Sequence, residues 1–284
     1  MKNATILTVV GKDAALDDLA ATMETIRAVS ARVAILVVAE VPAFPYYAIG
    51  VPPYGISEVP ADWQADLTAS RTILLEKAQE IETLLDQHGV SGEVTSVAGD
   101  LATVINTISQ KAMYCDVAMV GNDLRATESL FNQAVHGVLF ASPIGVVLND
   151  KHAKAFTGAK RVFVAWNTQI HSARAVHQAL PILKCADEVI VASIDPLFTA
   201  HGDGEDPGVD IAKWLTQHGC KVVVQQYPSG GLSVGECILA RSEEAGADLI
   251  VMGSYGHSRA RQAFFGGTTR TMISQINQAV YLAH

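Results

Sequence analysis

The chain has 284 residues, of which 49% are hydrophobic, and it carries a formal net charge of −9. That length provides a core for two domains of ordinary size or for one large α/β domain. The acidic balance excludes a sequence-independent nucleic-acid binder, which needs a basic face, but it permits a small anionic ligand at a local site. No apolar run approaches the roughly 18–20 residues that span a bilayer, and the N-terminus has no signal-peptide pattern. We therefore expect a soluble protein with no membrane or nucleic-acid partner.

The four cysteines form no metal-binding or redox pattern. They are Cys115, Cys185, Cys220 and Cys237, and none of them belongs to a CxxC pair. Cys115 and Cys237 lie in apolar segments, which predicts buried thiols. Because no disulfide framework is apparent, we expect a reducing, cytoplasmic setting.

In the first half, apolar segments predict strands at 4–11 ("ATILTVVG") and 33–42 ("VAILVVAEVP"). A proline-rich and aromatic stretch follows at 41–63, and its prolines forbid a regular helix or a central strand. We expect an ordered loop there, which is either a lid or subunit contact or a loop packed on its own domain. Two more strands are expected after "QHG" at 87–89 and in "CDVAMVGN" at 115–122.

A polar segment at 149–160 joins the halves and places a domain boundary near residue 150. Beyond it, apolar segments alternate with helical patterns. The predicted strands are 161–166, 188–194, 221–226, 248–252 and 279–283. The predicted helices are 171–184, 207–218, 234–246 and 268–277, the first of which Pro181 should shorten or kink.

The two halves repeat the same landmarks in the same order. "CDVAMVGN" at 115–122 corresponds to "ADLIVMGS" at 247–254, and "QHG" occurs at 87–89 and again at 217–219. Alternating strands and helices predict an α/β fold with parallel sheets covered on both faces. The halves should pack against each other, with "AVYLAH" at 279–284 as a candidate edge strand for pairing.

Residues 251–270, "VMGSYGHSRARQAFFGGTTR", carry the strongest sign of a ligand site. Gly253 directly follows a predicted strand, at the end of the sheet where doubly wound folds bind their ligands. We expect a glycine there to leave backbone amides free for an anion, because a residue without Cβ lets the backbone approach phosphate oxygens closely. The last helix then opens with two glycines and two threonines, where free amides and the helix dipole attract an anion. The alternative is that these glycines serve only turns and that Thr268 is only an N-cap.

The segment "ADLIVMGSYGHSR" and the spacing Gly253-x2-Gly256-x9-Gly266 resemble the nucleotide-binding signature of the universal stress protein family. "VAWNTQIHSARAVHQALPIL", where the first strand of the second half gives way to a helix, is similar to that family as well. The resemblance is strong over 160–284 and is visible over 1–150 mainly as strand–helix order. The chain therefore resembles a tandem member of the family.

The resemblance implies two Rossmann-like domains in tandem, each a doubly wound, five-stranded parallel sheet. It implies a degenerate domain at 1–150 and a domain with the nucleotide-binding motif at 151–284. The protein would be a stress-response protein that binds ATP or a related adenine nucleotide, with or without Mg²⁺, and that acts by ligand-dependent interaction rather than catalysis. It would form a homodimer, or the two domains would form an intramolecular pseudo-dimer. The implied nucleotide contacts are Asn167, Ile194, Met252, Gly253, Gly256, Gly266, Gly267 and Thr268.

The second half departs from the family pattern at two positions. Nucleotide-binding members have an aspartate after the first strand, where this chain has Asn167. Asparagine can hydrogen-bond a ribose or a base, but it brings no charge for a metal. The nucleotide binders usually have Ser or Thr after the last glycine of the signature, where this chain has Gly267.

The first half departs further. The same spacing counted from Gly121 meets Leu124 and Ala134 instead of glycines. The acidic residues Asp123 and Glu128 lie near where phosphates would bind, and like charge is unfavourable there. We therefore expect the first domain not to bind a nucleotide in the same way.

Two other functions stay open: a non-binding scaffold of the same fold, and a slow adenine-nucleotide hydrolase, although no general base is evident. "PSGGLS" at 228–233 resembles the SGGxDS loop of ATP pyrophosphatases, but it follows the third strand rather than the first. A turn with Ser229 or Ser233 as a helix cap is the simpler interpretation. "HGDGED" at 201–206 is interpreted as a solvated loop rather than a metal site.

Overall fold

The computed structural model describes residues 2–41, 61–199, 203–254 and 267–284. Residues 42–60 of the proline-rich stretch, Gly256 and Gly266 lie outside the described residues, whereas residues 61–63, expected in a loop, begin a helix because they follow the last proline of the stretch. The chain forms two compact units. The N-terminal unit comprises Ala4–Arg27 and Ala31–Pro143, and the C-terminal unit comprises Ile144–His284 with Ala28–Ser30 and the first residues of the chain. The division falls a few residues before the boundary expected near residue 150.

The N-terminal unit alternates strands and helices in its described parts. Its strands are β1 (Thr5–Gly11), β2 (Arg32–Glu40), β3 (Gly92–Gly99) and β4 (Val117–Val120). Its helices are α1 (Leu16–Ala28), α2 (Ala61–His88), α3 (Leu101–Ala112) and α4 (Glu128–Ala141), with a 3₁₀ turn at Asn122–Ala126. The strands are parallel in the order β3-β2-β1-β4.

The C-terminal unit follows the same plan. Its strands are β5 (Gly145–Leu148), β6 (Arg161–Ala165), β7 (Glu188–Ile194), β8 (Val222–Tyr227), β9 (Leu249–Gly253) and β10 (Ala279–Ala283). Its helices are α5 (Ala155–Gly158), α6 (Ile170–Leu183), α7 (Val209–Gln217), α8 (Val234–Glu244) and α9 (Gly267–Ser274). The strand order is β5-β10-β9-β6-β7-β8, in which β10-β9-β6-β7-β8 are parallel.

The strand β10 is paired on both of its sides. It runs parallel to β9 and antiparallel to β5, with Tyr281 opposite Val147. Gly145 leaves the space that the buried Tyr281 ring fills, because a Cβ at residue 145 would overlap the tyrosine hydroxyl. The strand expected at an edge is therefore covered by a short strand from just before the predicted boundary.

These elements confirm the predicted α/β class. The central strands are apolar because helices cover both faces, and β9 is buried at every residue. The outer strands β3 and β8 carry polar residues and are partly exposed. The predicted strands and helices of the second half match the structure within a residue or two, except that α9 ends at Ser274. The Gln275 side chain stops α9 by accepting the amides of Asn277 and Gln278. Pro181 does not shorten α6, which continues to Leu183.

Candidate functional site

A cavity of about 480 Å³ opens at the carboxyl ends of β6, β7 and β9 in the C-terminal unit. The strand β6 is the first of the parallel set, and its neighbours β7 and β9 lie on opposite sides of it. The chain order of the strands therefore reverses between β6 and β9, which is where open α/β sheets bind ligands. The volume lies in the range of small-molecule sites.

All of the predicted nucleotide contacts that the structure describes line this one cavity. They are Asn167, Ile194, Met252, Gly253, Gly267 and Thr268. They come from four separate places in the sequence, and the topology alone brings them together. Arg259 and Arg261 lie between Gly256 and Gly266 in the sequence. Like those two glycines, they are outside the described residues.

The cavity lining combines apolar side chains with neutral polar groups. Ile194 and Met252 lie at the ends of neighbouring strands, and Val234 and Ile238 of α8 complete the apolar side. These two α8 residues were not predicted from the sequence. Their spacing of four residues on a helix that begins beside the sheet edge is the signal that could have found them.

Asn167 is anchored to the first turn of α6. The buried Ser172 hydroxyl donates to Asn167 Oδ1 at 2.5 Å. With Oδ1 engaged, Nδ2 is the atom through which Asn167 can donate a hydrogen bond to a ligand. The site thus presents a neutral donor at the position where an aspartate would present an acceptor.

Asp203 connects two of the loops at the cavity mouth. Its carboxylate accepts the amide of Thr168 through Oδ1 and the amide of Leu197 through Oδ2, both at 2.9 Å. Burial by itself raises the pKa of Asp203, but the two amide hydrogen bonds outweigh it and lower the pKa. From the sequence, Asp203 was expected in a solvated loop with no role at the site.

The structure gives Gly253 a packing role. A Cβ there would lie 2.5 Å from Ser172 N and 2.6 Å from His171 O, so any larger residue would push α6 away from β9. The next amide, that of Ser254, donates to Ala283 O at 2.7 Å and is engaged within the sheet. The expectation that amides at the end of this strand are free for an anion is therefore wrong at Ser254.

The start of α9 lies at the cavity, where Gly267 and Thr268 are part of the lining. Among the described residues, no atom lies within 4 Å of a Cβ built at Gly267, and Thr269 is buried. The first amides of an α-helix have no partner inside the helix, and the dipole makes this end attractive to anions. Of the described residues, the Gly267–Thr269 turn is the part of the cavity wall best suited to phosphate.

Local structure explains "PSGGLS", one of the two segments that resembled other sites. Ser233 and Glu236 form a capping box at the start of α8, in which Glu236 Oε2 accepts the amide of Ser233 at 2.9 Å. Gly230 and Gly231 have positive φ in the turn before it. The predicted turn and helix cap are thus confirmed. Within the described ranges, no group of three or more His, Cys, Asp or Glu side chains could hold a metal.

The equivalent edge of the N-terminal unit is built differently. A cavity of about 340 Å³ there is lined by Gly11 and Asp123, among others. Asp123 Oδ2 accepts the amide of Gly11 at 2.6 Å, and Leu124 is buried beside it. Burial raises the pKa of Asp123 despite this hydrogen bond. The Asp123 carboxylate lies in the lining of this cavity, where a negative charge disfavours a phosphate, which supports the expectation that this unit does not bind a nucleotide in the same way.

The comparisons with known proteins agree with this description. Residues 158–284 match the sequence model of the Universal stress protein family. A universal stress protein from Archaeoglobus fulgidus DSM 4304 superimposes with a TM-score of 0.65 at 17% identity, over 98% of this chain and 97% of that chain, which shows the shared fold. A universal stress protein family member from Burkholderia pseudomallei is 19% identical over 46% of this chain and 97% of its own, with a TM-score of 0.30. Among curated proteins, no sequence matches this chain. No helix in the described parts is long and apolar enough to cross a membrane.

Proposed function

We propose that this chain, whose residues 158–284 belong to the universal stress protein family, binds an adenine nucleotide (ATP, ADP or AMP) in the cavity at the ends of β6, β7 and β9. The protein would act through ligand-dependent contacts with itself or a partner rather than through catalysis. The observation that carries the proposal is the convergence of every described candidate residue on this one cavity.

The chemistry of the lining suits a nucleoside. Ile194, Met252 and the α8 residues offer an apolar surface to a flat heterocyclic base. Asn167 Nδ2 offers a donor to a ribose hydroxyl or to a ring nitrogen of the base. The open first turn of α9 offers its amides to the phosphates.

A protein-held Mg²⁺ does not fit the described lining. Magnesium prefers carboxylate oxygens and retained waters, and no carboxylate lines the described part of this cavity. Asn167 supplies at most a neutral oxygen, and that atom accepts the Ser172 hydroxyl. We therefore assign the metal no role in the binding step.

Calorimetric titration of the purified chain with ATP, AMP and GTP tests the proposal. We expect saturable binding of the adenine nucleotides, which Ile194→Trp should abolish because the larger ring fills the cavity. Leu232→Trp is the matched control, because Leu232 is exposed and does not line the cavity. No heat and no thermal shift with any nucleotide at millimolar concentration would refute the proposal.

A non-binding scaffold is the second candidate, and the packing of Gly253 favours it. That glycine and the Ser254 amide, both expected to serve a ligand, have structural roles here. Under this alternative, Asn167→Asp combined with Gly267→Ser would create nucleotide binding that the native chain lacks. Binding by the native chain excludes the scaffold hypothesis.

A further inference from the structure

One carboxylate ties together the two loops that carry the polar and apolar sides of the cavity. Thr168, whose amide donates to Asp203, directly follows Asn167. Leu197, whose amide also donates to Asp203, lies just beyond Ile194. Asn167 and Ile194 both line the cavity. A movement of either loop would therefore change the distance across the site.

The Asp203 side chain extends a connection that the sheet begins. The backbone contact between the ends of β6 and β7 continues as far as Trp166, whose amide donates to Ala192 O at 2.8 Å. In the described parts of the two loops, no further backbone hydrogen bond joins them beyond that point. The Asp203 carboxylate supplies the next link by accepting the amide of Thr168. The link joins the residue after Asn167 to the loop after Ile194.

Asp203 is itself held in place by its own loop. Its amide donates to Leu197 O at 2.8 Å, while its carboxylate accepts from Leu197 N. The amide of Gly204 donates to Thr199 O at 3.2 Å. Main-chain and side-chain hydrogen bonds thus fix residue 203 to the loop that follows β7. Its other carboxylate oxygen accepts a hydrogen bond from the loop that follows β6.

We propose that Asp203 is a positioning residue of the nucleotide site, which holds Asn167 opposite Ile194 without touching the ligand. This inference rests on the proposed function. The carboxylate is suited to the task because it offers two acceptor oxygens to two amides, and charge-assisted bonds of this kind are stronger than neutral ones. Asparagine cannot replace it, since its NH₂ group would face one of the two amide donors.

The neighbouring loops supply a matched control. Asp195 Oδ1 accepts the amide of Ser229 at 2.9 Å, which ties the end of β7 to the end of β8 by the same kind of bond. Neither residue lines the cavity. The main chain at residue 195 stays joined to β8 in this variant, because its amide donates to Tyr227 O at 2.9 Å. Asp195→Asn therefore weakens a side-chain loop connection at the same edge of the sheet while the backbone next to Ile194 keeps its place.

The test measures nucleotide affinity and amide exchange in the same set of variants. We expect Asp203→Asn to weaken AMP binding by about 5- to 10-fold, the scale of the net contribution of one hydrogen bond. Asp203→Glu, which keeps two acceptor oxygens, should recover most of the affinity, and Asp195→Asn should bind like the wild type. In the absence of nucleotide, hydrogen exchange at Thr168 and Leu197 should accelerate in Asp203→Asn and stay unchanged in Asp195→Asn.

The outcomes separate the inference from the function on which it rests. If the wild type binds AMP and Asp203→Asn binds equally well, the inference fails alone. The same holds if Asp195→Asn loses as much affinity as Asp203→Asn, because the effect would then be general loosening of the edge. If the wild type binds no nucleotide, the proposed function fails and takes the positioning role with it.

Discussion

Gly253 at the end of β9 lies so close to His171 in the first turn of α6 that a Cβ at residue 253 would overlap the histidine backbone. The neighbouring atoms belong to the main chain and cannot rotate away. The close approach sets how α6 sits on the sheet and therefore where Asn167 and Ser172 lie at the cavity.

Gly253→Ala should lower the free energy of unfolding by about 1–3 kcal/mol, the usual effect of overpacking a well-packed contact. Gly267→Ala is the control, because that position is open, its φ is not positive and it begins a helix. Alanine there should be neutral or stabilise by up to about 1 kcal/mol. Urea denaturation measures both variants, and equal stability of Gly253→Ala and the wild type would contradict the packing described.

Nucleotide binding by the wild type should not depend on divalent metal, because the described cavity lining has no carboxylate. Asn167→Asp should make affinity for ATP increase when Mg²⁺ replaces EDTA, since a carboxylate then stands beside the site. Asn167→Ala serves as the control, and it should weaken binding equally with and without the metal. A strong Mg²⁺ requirement in the wild type would contradict this interpretation of Asn167.

Each chain should bind one nucleotide, because Asp123 occupies the Gly11 amide in the N-terminal unit. Calorimetric stoichiometry measures this directly. In Ile194→Trp, which fills the C-terminal cavity, no saturable binding should remain. A stoichiometry of two, or residual binding of one nucleotide in that variant, would show that the N-terminal unit binds as well.

Asp150 should make stability depend on pH. Burial raises the pKa of its carboxyl to about 6, although the amides of Lys154 and Ala155 donate to it at 3.0 and 2.9 Å. Because the folded pKa lies above the unfolded value, the folded state keeps a proton that the unfolded chain loses between about pH 4 and 6. Stability attributable to Asp150 therefore falls as pH rises through this window, by at most about 3 kcal/mol.

Asp150→Asn should remove this part of the pH dependence, which denaturant titrations at pH 4, 5, 6 and 7 would show. Parallel profiles for the wild type and Asp150→Asn would contradict the burial argument.

Thiol reactivity should distinguish the four free cysteines. Cys185 is exposed, whereas Cys220 and Cys237 are buried and Cys115 is half-buried with its thiol pKa raised to about 11 by burial. A thiol reagent at neutral pH should modify Cys185 rapidly and the other three slowly, because the thiolate is the reactive form. Mass spectrometry of timed digests measures the order, and rapid modification of Cys115 would contradict it. Of the two thiols expected to be buried, only Cys237 is fully so.

The fold could be predicted largely from periodicity, because continuous apolar strands separated by helical patterns leave few other arrangements. Because the two halves repeat the same landmarks, the clear strand–helix pattern of the second half supported the same fold for the first half. The pairing of β10 with β5 could not be predicted. The strand β5 has only four residues, lies in the middle of the chain, and pairs with the last strand. The space that Gly145 leaves for Tyr281 is visible only in the structure.

The candidate site was predicted where it depends on strand ends and was missed where it depends on distant contacts. Asn167, Ile194 and Met252 were implied by the resemblance to the family, and each lies at or just beyond the carboxyl end of a strand, where parallel sheets bind their ligands. The role of Asp203 depends on amides that precede it by up to 35 positions. The packing role of Gly253 was not predicted, because a glycine needed for packing and a glycine needed for a ligand look the same in sequence.

Methyl-resolved NMR of the full chain titrated with AMP and ATP tests the nucleotide site most directly. We predict saturable shifts of the Ile194, Ile238 and Met252 methyl signals, while those of Val38 and Leu130, which line the N-terminal cavity, stay in place. Unchanged signals from all three C-terminal methyl groups at millimolar nucleotide would contradict the account.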